Sequence, residues 1–229
     1  MVTVDGTPIR QDVTVIIPAR GGSKGVHKKN IVDIAGKPLI SYTILSALKA
    51  ELVDRVVVST EDEEIADVAM KWGADVPFLR PKSLAEDESC LGDAVDYTIK
   101  ELGGLEEERV FVTLVPTSLF RTPQFIDDNL EILSKGYRTI RTVKPMHADP
   151  DYLFAPTGQD GQLVHIGADS AIAPYYRSYG SLFAVSGIRS KTHYYYTLKD
   201  KYYLIDIDTV RDVELAEHII THNLFDFGF

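Results

Sequence analysis

Residues 13–25 read Val13-Thr14-Val15-Ile16-Ile17-Pro18-Ala19-Arg20-Gly21-Gly22-Ser23-Lys24-Gly25. The first five are a β-branched run of strand length, and Pro18 ends it. A loop rich in Gly and Lys follows over 19–30. Outward from it, Pro38 to Ala50 carries Leu39, Tyr42, Leu45 and Leu48 at helical spacing, with Pro38 suited to the first turn. Arg55 to Ser59 is a second strand, too apolar to face water on either side. Glu61 to Trp72 predicts a helix with an acidic first turn, stopped by Gly73. The cycle repeats: a short strand over Val76–Leu79, a helix over Gly92–Leu102, a strand over Arg109–Val115 and a helix over Pro123–Ser134. This alternation predicts an α/β fold, a mainly parallel sheet with helices on both faces.

Beyond about Arg141 the rhythm changes. From Pro145 to Gly187 turn signals separate short extended runs, which predicts an inserted hairpin-rich lobe over 145–187. Tyr202–Ile207 reads as a last strand and Thr209–His222 as a last helix, with Thr209 and Asp212 as a capping pair. Residues 1–12 read as a tail ahead of a single domain over 13–229.

The chain of 229 residues carries a net charge of −10, which argues against coating nucleic acid or anionic membrane. The N-terminus lacks a signal-peptide pattern, and one cysteine, Cys90, excludes an intramolecular disulfide framework; a cytoplasmic setting is expected. The charge is uneven. Arg20, Lys24, Lys28, Lys29 and Lys37 against Asp33 make an island of +4, leaving −14 elsewhere. Such an island fits a small anionic ligand held at one place, and it sits at the carboxyl end of the first strand, where parallel sheets bind ligands.

The loop's glycines let backbone N–H groups approach a phosphate, and its Arg and Lys supply charge. It lacks the Gly-Lys-Ser/Thr ending of a P-loop and the spacing of a dinucleotide fingerprint. His27 could also touch phosphate. A second constellation is Asp206-Ile207-Asp208. In a strand, positions i and i+2 share a face, so both carboxylates would meet one pocket while Ile207 packs inward. Two carboxylates with substrate phosphate oxygens suit Mg²⁺. Tyr194–Tyr196 and Tyr202–Tyr203 read as packing for a sheet edge or subunit interface, and Cys90 as structural.

The loop over 17–25, with Lys29-Asn30 behind it, resembles the signature of the acylneuraminate (CMP-sialic acid) cytidylyltransferase family. Gly36-Lys37-Pro38, Val57-Val58-Ser59-Thr60, Leu79-Arg80-Pro81, Pro116-Thr117-Ser118 with Arg121-Thr122, and Ile205 to Thr209 follow in family order. The resemblance implies a Rossmann-like nucleotidyltransferase fold whose inserted lobe serves dimerisation. It further implies a homodimer, CTP and a sugar acid as substrates, and Mg²⁺ or Mn²⁺ on Asp206 and Asp208. By the same resemblance, Ala19, Arg20, Gly21, Gly22, Ser23, Lys24, Lys29, Asn30, Arg80 and Ser89 serve the nucleotide, with Asp87 and Asp93 nearby. Arg20 and Lys24 join the two aspartates as catalytic residues, while Thr117, Ser118, Arg121, Arg177 and Phe183 fall on the sugar side. Three positions depart from the sialic-acid pattern: Val115 stands where Gln is common, Tyr179 where Asn is, and Asp169 near an expected Arg. Legionaminate, pseudaminate or a Kdo-like acid, or another nucleotide, are therefore alternative substrates. A non-catalytic nucleotide-binding regulator is an alternative of another class.

Overall fold

The computed structural model describes residues 2–4, 7–9, 11–23, 25–86, 88–146, 154–156, 163–165 and 175–229. A short hairpin, β1 (Val2–Val4) and β2 (Thr7–Ile9), precedes β3 (Asp12–Pro18). Then come β4 (Asp33–Ile34) and β5 (Lys37–Pro38), α1 (Leu39–Lys49), β6 (Arg55–Ser59), α2 (Glu63–Lys71), α3 (Leu91–Glu101), β7 (Arg109–Thr113) and α4 (Pro123–Leu133). The chain continues through β8 (Thr139–Met146), the hairpin of β9 (Phe154–Pro156) and β10 (Leu163–His165), β11 (Tyr175–Ser186), β12 (His193–Thr197) and α5 (Val210–Thr221).

Six strands form one sheet in the order β12-β8-β11-β7-β3-β6. The β3–β6, β3–β7 and β8–β12 pairs are parallel, whereas β11 runs antiparallel between β7 and β8. The interior strand β3 shows why helices must cover both faces. Val13, Val15 and Ile17 enter the large core with Ile40, Ile44, Phe125 and Ile126, while Ile16 points the other way onto Val95 and Phe111. A third cluster joins Leu39, Tyr42 and Phe120 to Ile207, Ile219 and Phe227, which anchors α5 beside the sheet.

The helices start where local chemistry supplies a cap. Asp62 accepts from the N–H groups of Glu64 and Ile65, Thr122 from Phe125 ahead of Pro123, and Thr209 with Asp212 completes a capping box. No helix among the described residues is long and apolar enough to cross a membrane.

Two expected strands do not form. At Val76–Leu79 only a single bridge exists, between Asp75 and Val57. Pro77 has no N–H for a ladder, and Leu79 is 43% exposed. At Tyr202–Ile207 the chain makes a 3₁₀ turn over Tyr202–Leu204, begun by Asp200 accepting from the Tyr202 N–H. Ile207 then donates one backbone hydrogen bond to Thr117, 2.9 Å long, in place of a ladder. Within 145–187, Pro145 and Met146 end β8, and residues 175–186 are a strand of the main sheet rather than part of a separate hairpin. β12, which holds Tyr194–Tyr196, is one of the two edge strands of that sheet.

Candidate active site

The loop after β3 is held by its own backbone and by acidic side chains from elsewhere in the chain. Ala19 donates to the Ser59 carbonyl, and the Asn30 side chain donates to the Arg20 carbonyl at 2.8 Å. Gly21 N–H donates to Glu61 Oε1 at 2.7 Å, and Arg80 Nε and Nη2 donate to Glu61 Oε2 at 3.1 and 2.9 Å. Glu61 therefore ties the loop to Arg80. Asp62 caps α2, which places Glu61 just ahead of the helix and turned toward the loop. The loop's glycines answer to close approaches. A Cβ on Gly21 would strike Asp62 Oδ2, and one on Gly25 would strike the Asp208 carbonyl oxygen.

The same contact brings the far end of the chain to the loop. Lys29 Nζ lies 2.8 Å from Asp208 Oδ1. Asp206 and Asp208 flank the fully buried Ile207, so the alternation expected of a strand survives in an extended segment outside the sheet. Asp206 Oδ1 is buried without a hydrogen-bond partner among the described residues. Near it lies Arg121, wholly buried, which donates to Thr43 Oγ1 at 2.9 Å and to the Val115 carbonyl at 3.0 Å. Burial pushes the Arg121 guanidinium down to about 9, with Asp206 and Tyr203 opposing, so it stays charged at neutral pH. The Tyr179 hydroxyl, 2.6 Å from the Leu204 carbonyl, is pushed up to about 12 by burial and then by Asp206.

Between the loop and the N-terminus of α3 lies a cavity of about 340 Å³. Arg20, Ser23, Lys29, Asn30 and Arg80 supply its polar wall, with Thr117 and Ser89 at other edges. Leu84, Leu91 and Val115 supply apolar surface suited to a flat ring. A second cavity of about 290 Å³ adjoins it, sharing Leu91 and Val115, and is lined by Phe183, Tyr179 and Arg141 among others.

A family model described as cytidylyltransferase matches residues 14–148, more than half the chain. The chain belongs to the cytidylyltransferase family. This cytidylyltransferase is 34% identical to the CMP-N,N'-diacetyllegionaminic acid synthase of Legionella pneumophila, over 92% of its own length and 97% of that protein's. It is 58% identical to a pseudaminic acid cytidylyltransferase of Campylobacter jejuni over 62% of its length and 56% of the relative's. It is 30% identical to the N-acylneuraminate cytidylyltransferase of Escherichia coli, over 91% of its length and 52% of the relative's. Among solved structures, a CMP:2-keto-3-deoxy-manno-octonic acid synthetase complexed with CTP superposes with a TM-score of 0.68 at 15% identity, covering 93% of this chain and 100% of that one. A 4-diphosphocytidyl-2C-methyl-D-erythritol synthase from Anaerococcus prevotii superposes with a TM-score of 0.58 at 11% identity, covering 93% and 97%. These likenesses establish a Rossmann-like nucleotidyltransferase fold.

Within the cytidylyltransferase, most of the expected nucleotide residues meet around the first cavity. Gly21 and Ala19 act behind the wall, Ala19 fully buried, and Gly22 is exposed. Lys24 and Asp87 lie outside the described residues, as does Asp169. Asp93 and His27 are exposed. On the sugar side, Thr117 reaches the first cavity and Phe183 the second, whereas Ser118 and Arg121 are buried beneath. Arg177 is exposed on β11 opposite Lys144 and lines neither cavity. Cys90 is exposed on the wall of the first cavity rather than packed in the core. Glu61 escaped the sequence reading, which placed it inside α2; the Asp62 cap one position later was the available signal.

Proposed function

We propose that the protein transfers the cytidylyl group of CTP to a nonulosonic sugar acid, releasing pyrophosphate. The observation that carries this is the joining of the glycine loop to Asp208, through Lys29 and through the close approach of Gly25, at the mouth of a cavity sized for a nucleotide. The full-length likeness to a CMP-N,N'-diacetyllegionaminic acid synthase supports the sugar class.

Arg20, Lys24 and Lys29 hold the triphosphate, and Asn30 and Arg80 orient the nucleotide. The anomeric hydroxyl oxygen attacks the α-phosphorus in line, the bond to the β-phosphate oxygen breaks, and the hydroxyl proton is lost to solvent. Positioning and charge neutralisation account for most of the acceleration. Asp206 and Asp208 suit a divalent cation, since Asp206 Oδ1 is a buried carboxylate oxygen lacking a partner among the described residues. When bound, Mg²⁺ or Mn²⁺ supplies Lewis-acid charge to the phosphate oxygens. The reading extends to a homodimer formed through the lobe over about 145–187, and to a cytoplasmic enzyme; the family resemblance supports the first, and the acidic, single-cysteine composition the second.

The test is pyrophosphate release from CTP, GTP, UTP and ATP with a panel of sugar acids. CTP-dependent, sugar-dependent release is expected, with most turnover removed by Lys24→Ala. Tight CTP binding without any release would instead identify a regulator. Light scattering on the eluting peak tests the dimer.

A further inference from the structure

The chain after α5 folds back onto the cluster that surrounds Ile207. Asn223 is left-handed (φ 52°), its N–H donates to the Ile220 carbonyl at 3.0 Å, and the Leu224 N–H donates to the Ile219 carbonyl at 2.9 Å. That pair of hydrogen bonds ends the helix and reverses the chain. Phe225 is then half-buried, Asp226 exposed and Phe227 buried. The Phe225 ring centre lies 5.3 Å from that of Phe120, 5.5 Å from Tyr202 and 6.1 Å from Tyr203, edge-on to each. Phe227 backs it at 4.9 Å and rests in turn on Phe120 and Tyr42 at 5.8 and 5.1 Å.

Those neighbours belong to two segments that reach the site. Phe120 stands between Thr117, on the wall of the first cavity, and the buried Arg121. Tyr202 and Tyr203 form the turn that leads into Asp206-Ile207-Asp208. The segments meet directly through the Ile207 N–H on the Thr117 carbonyl, the Phe120–Tyr202 ring pair at 6.2 Å, and the Tyr203 hydroxyl 3.5 Å from Thr122 Oγ1. No strand holds Asp206 and Asp208 among the described residues, so side-chain packing sets where they stand. We infer that Phe225 is a positioning residue: its ring, wedged between Phe120 and the Tyr202–Tyr203 turn, fixes the two aspartates against the Thr117 edge of the cavity and so sets their grip on a divalent cation. This rests on the cation-binding reading of Asp206 and Asp208 given above. Without the ring, the turn can settle toward Phe120 and carry the carboxylates with it, while α5, capped at Thr209, and the six-stranded sheet keep their own bonds. The groups assigned to the nucleotide come from elsewhere, Arg20 and Asn30 from the loop after β3 and Arg80 beside Glu61, so the loss falls on the cation more than on CTP.

Water-proton relaxation by Mn²⁺, with CTP present and sugar acid absent, distinguishes cation held on the protein from cation held by nucleotide alone. Phe225→Ala is expected to weaken Mn²⁺ binding on the protein and to lower kcat for pyrophosphate release, each by about tenfold, with the KM for CTP changed by no more than about twofold. Phe225→Tyr, which keeps the ring, is expected to restore both. Phe229→Ala removes a ring that touches Phe227 at 5.5 Å and should leave both as in the wild type. Should Phe225→Ala fail to fold, Phe225→Leu is read in the same way, since it keeps apolar volume without a ring edge. A lower melting temperature with unchanged Mn²⁺ affinity and kcat overturns the inference, as does an equal loss in Phe229→Ala. Mn²⁺ affinity unmoved by Asp206→Asn overturns the inference together with the cation reading beneath it. No release with any sugar acid, with the Mn²⁺ contrast intact, overturns cytidylyl transfer to sugar acids and leaves the part of Phe225 standing.

Discussion

Arg80 and Glu61 form an ion pair 2.9 Å long with side chains only 3% and 11% exposed. The same carboxylate accepts the Gly21 N–H, so one acid sets both the glycine loop and the guanidinium on the cavity wall. Removing either partner strands a charge that has already left water.

Glu61→Ala is therefore expected to lower stability by about 3 kcal/mol in urea unfolding. It should also raise the KM for CTP by about tenfold, because the loop loses its anchor. Glu61→Gln keeps an acceptor for Gly21 without the charge and should fall between the two. A Glu61→Ala protein with an unaltered urea midpoint would sink this account.

Asp206→Asn and Asp208→Asn should each reduce kcat by about 10²–10³-fold. Asp208→Asn should in addition loosen the loop, since Lys29 loses its partner, and so raise the KM for CTP more than Asp206→Asn does. Steady-state kinetics across a Mg²⁺ titration, with thermal melts as a control for folding, checks both. Equal effects on KM would contradict the assigned part of Lys29.

Gly25→Ala tests geometry without touching charge. The added methyl would overlap the Asp208 carbonyl oxygen, so the loop must shift. A displacement of about 1 Å at a phosphate site can cost about 10²-fold in turnover. Because Gly25 is exposed, the melting temperature should move by no more than a few degrees. Full activity in this variant would show that the loop reorganises without penalty.

Alkaline pH should weaken the fold in a defined window. Burial pushes the Tyr42 hydroxyl up to about 12, with Asp33 and Glu217 adding to it, and burial does the same for Tyr179. Unfolded tyrosines ionise near 10. Between about pH 10 and pH 12 the folded chain keeps protons that the unfolded chain has lost, so stability falls as pH rises. The contribution is complete below about pH 10 and on the order of 2 kcal/mol per tyrosine. Absorbance at 295 nm should show late-titrating tyrosines whose ionisation coincides with unfolding; simple titration of every tyrosine near pH 10 would refute it.

The strand–loop–helix opening at Val13–Lys49 was legible because periodicity, Pro18 and the glycines all agree locally. The helix start at Thr209 was legible for the same reason, since a cap acts within four residues, whereas the Asp62 cap of α2 was passed over in favour of a start at Glu61. The antiparallel insertion of β11 was not, since the partners of Phe183 on β7 and β8 lie 70 and 42 positions away. Asp206 and Asp208 were expected on a strand that does not form. The alternation around the fully buried Ile207 survives without the strand, although Asp206 Oδ1 is itself buried. Glu61 was missed because its value comes from Arg80 and Gly21, neither of them adjacent to it in the chain.

The contact between Lys29 and Asp208 closes a loop of 179 residues. The glycine-rich loop leaves the ribosome early, yet the carboxylate that pairs with its Lys29 emerges only with the last helix. A nascent chain can pair β3, β6 and β7 long before it can engage nucleotide. The mature enzyme inherits the same seam in reverse. Fraying of the segment around Asp206–Thr209 should silence catalysis while the sheet remains intact, so inactivation should precede loss of the circular-dichroism signal as denaturant rises.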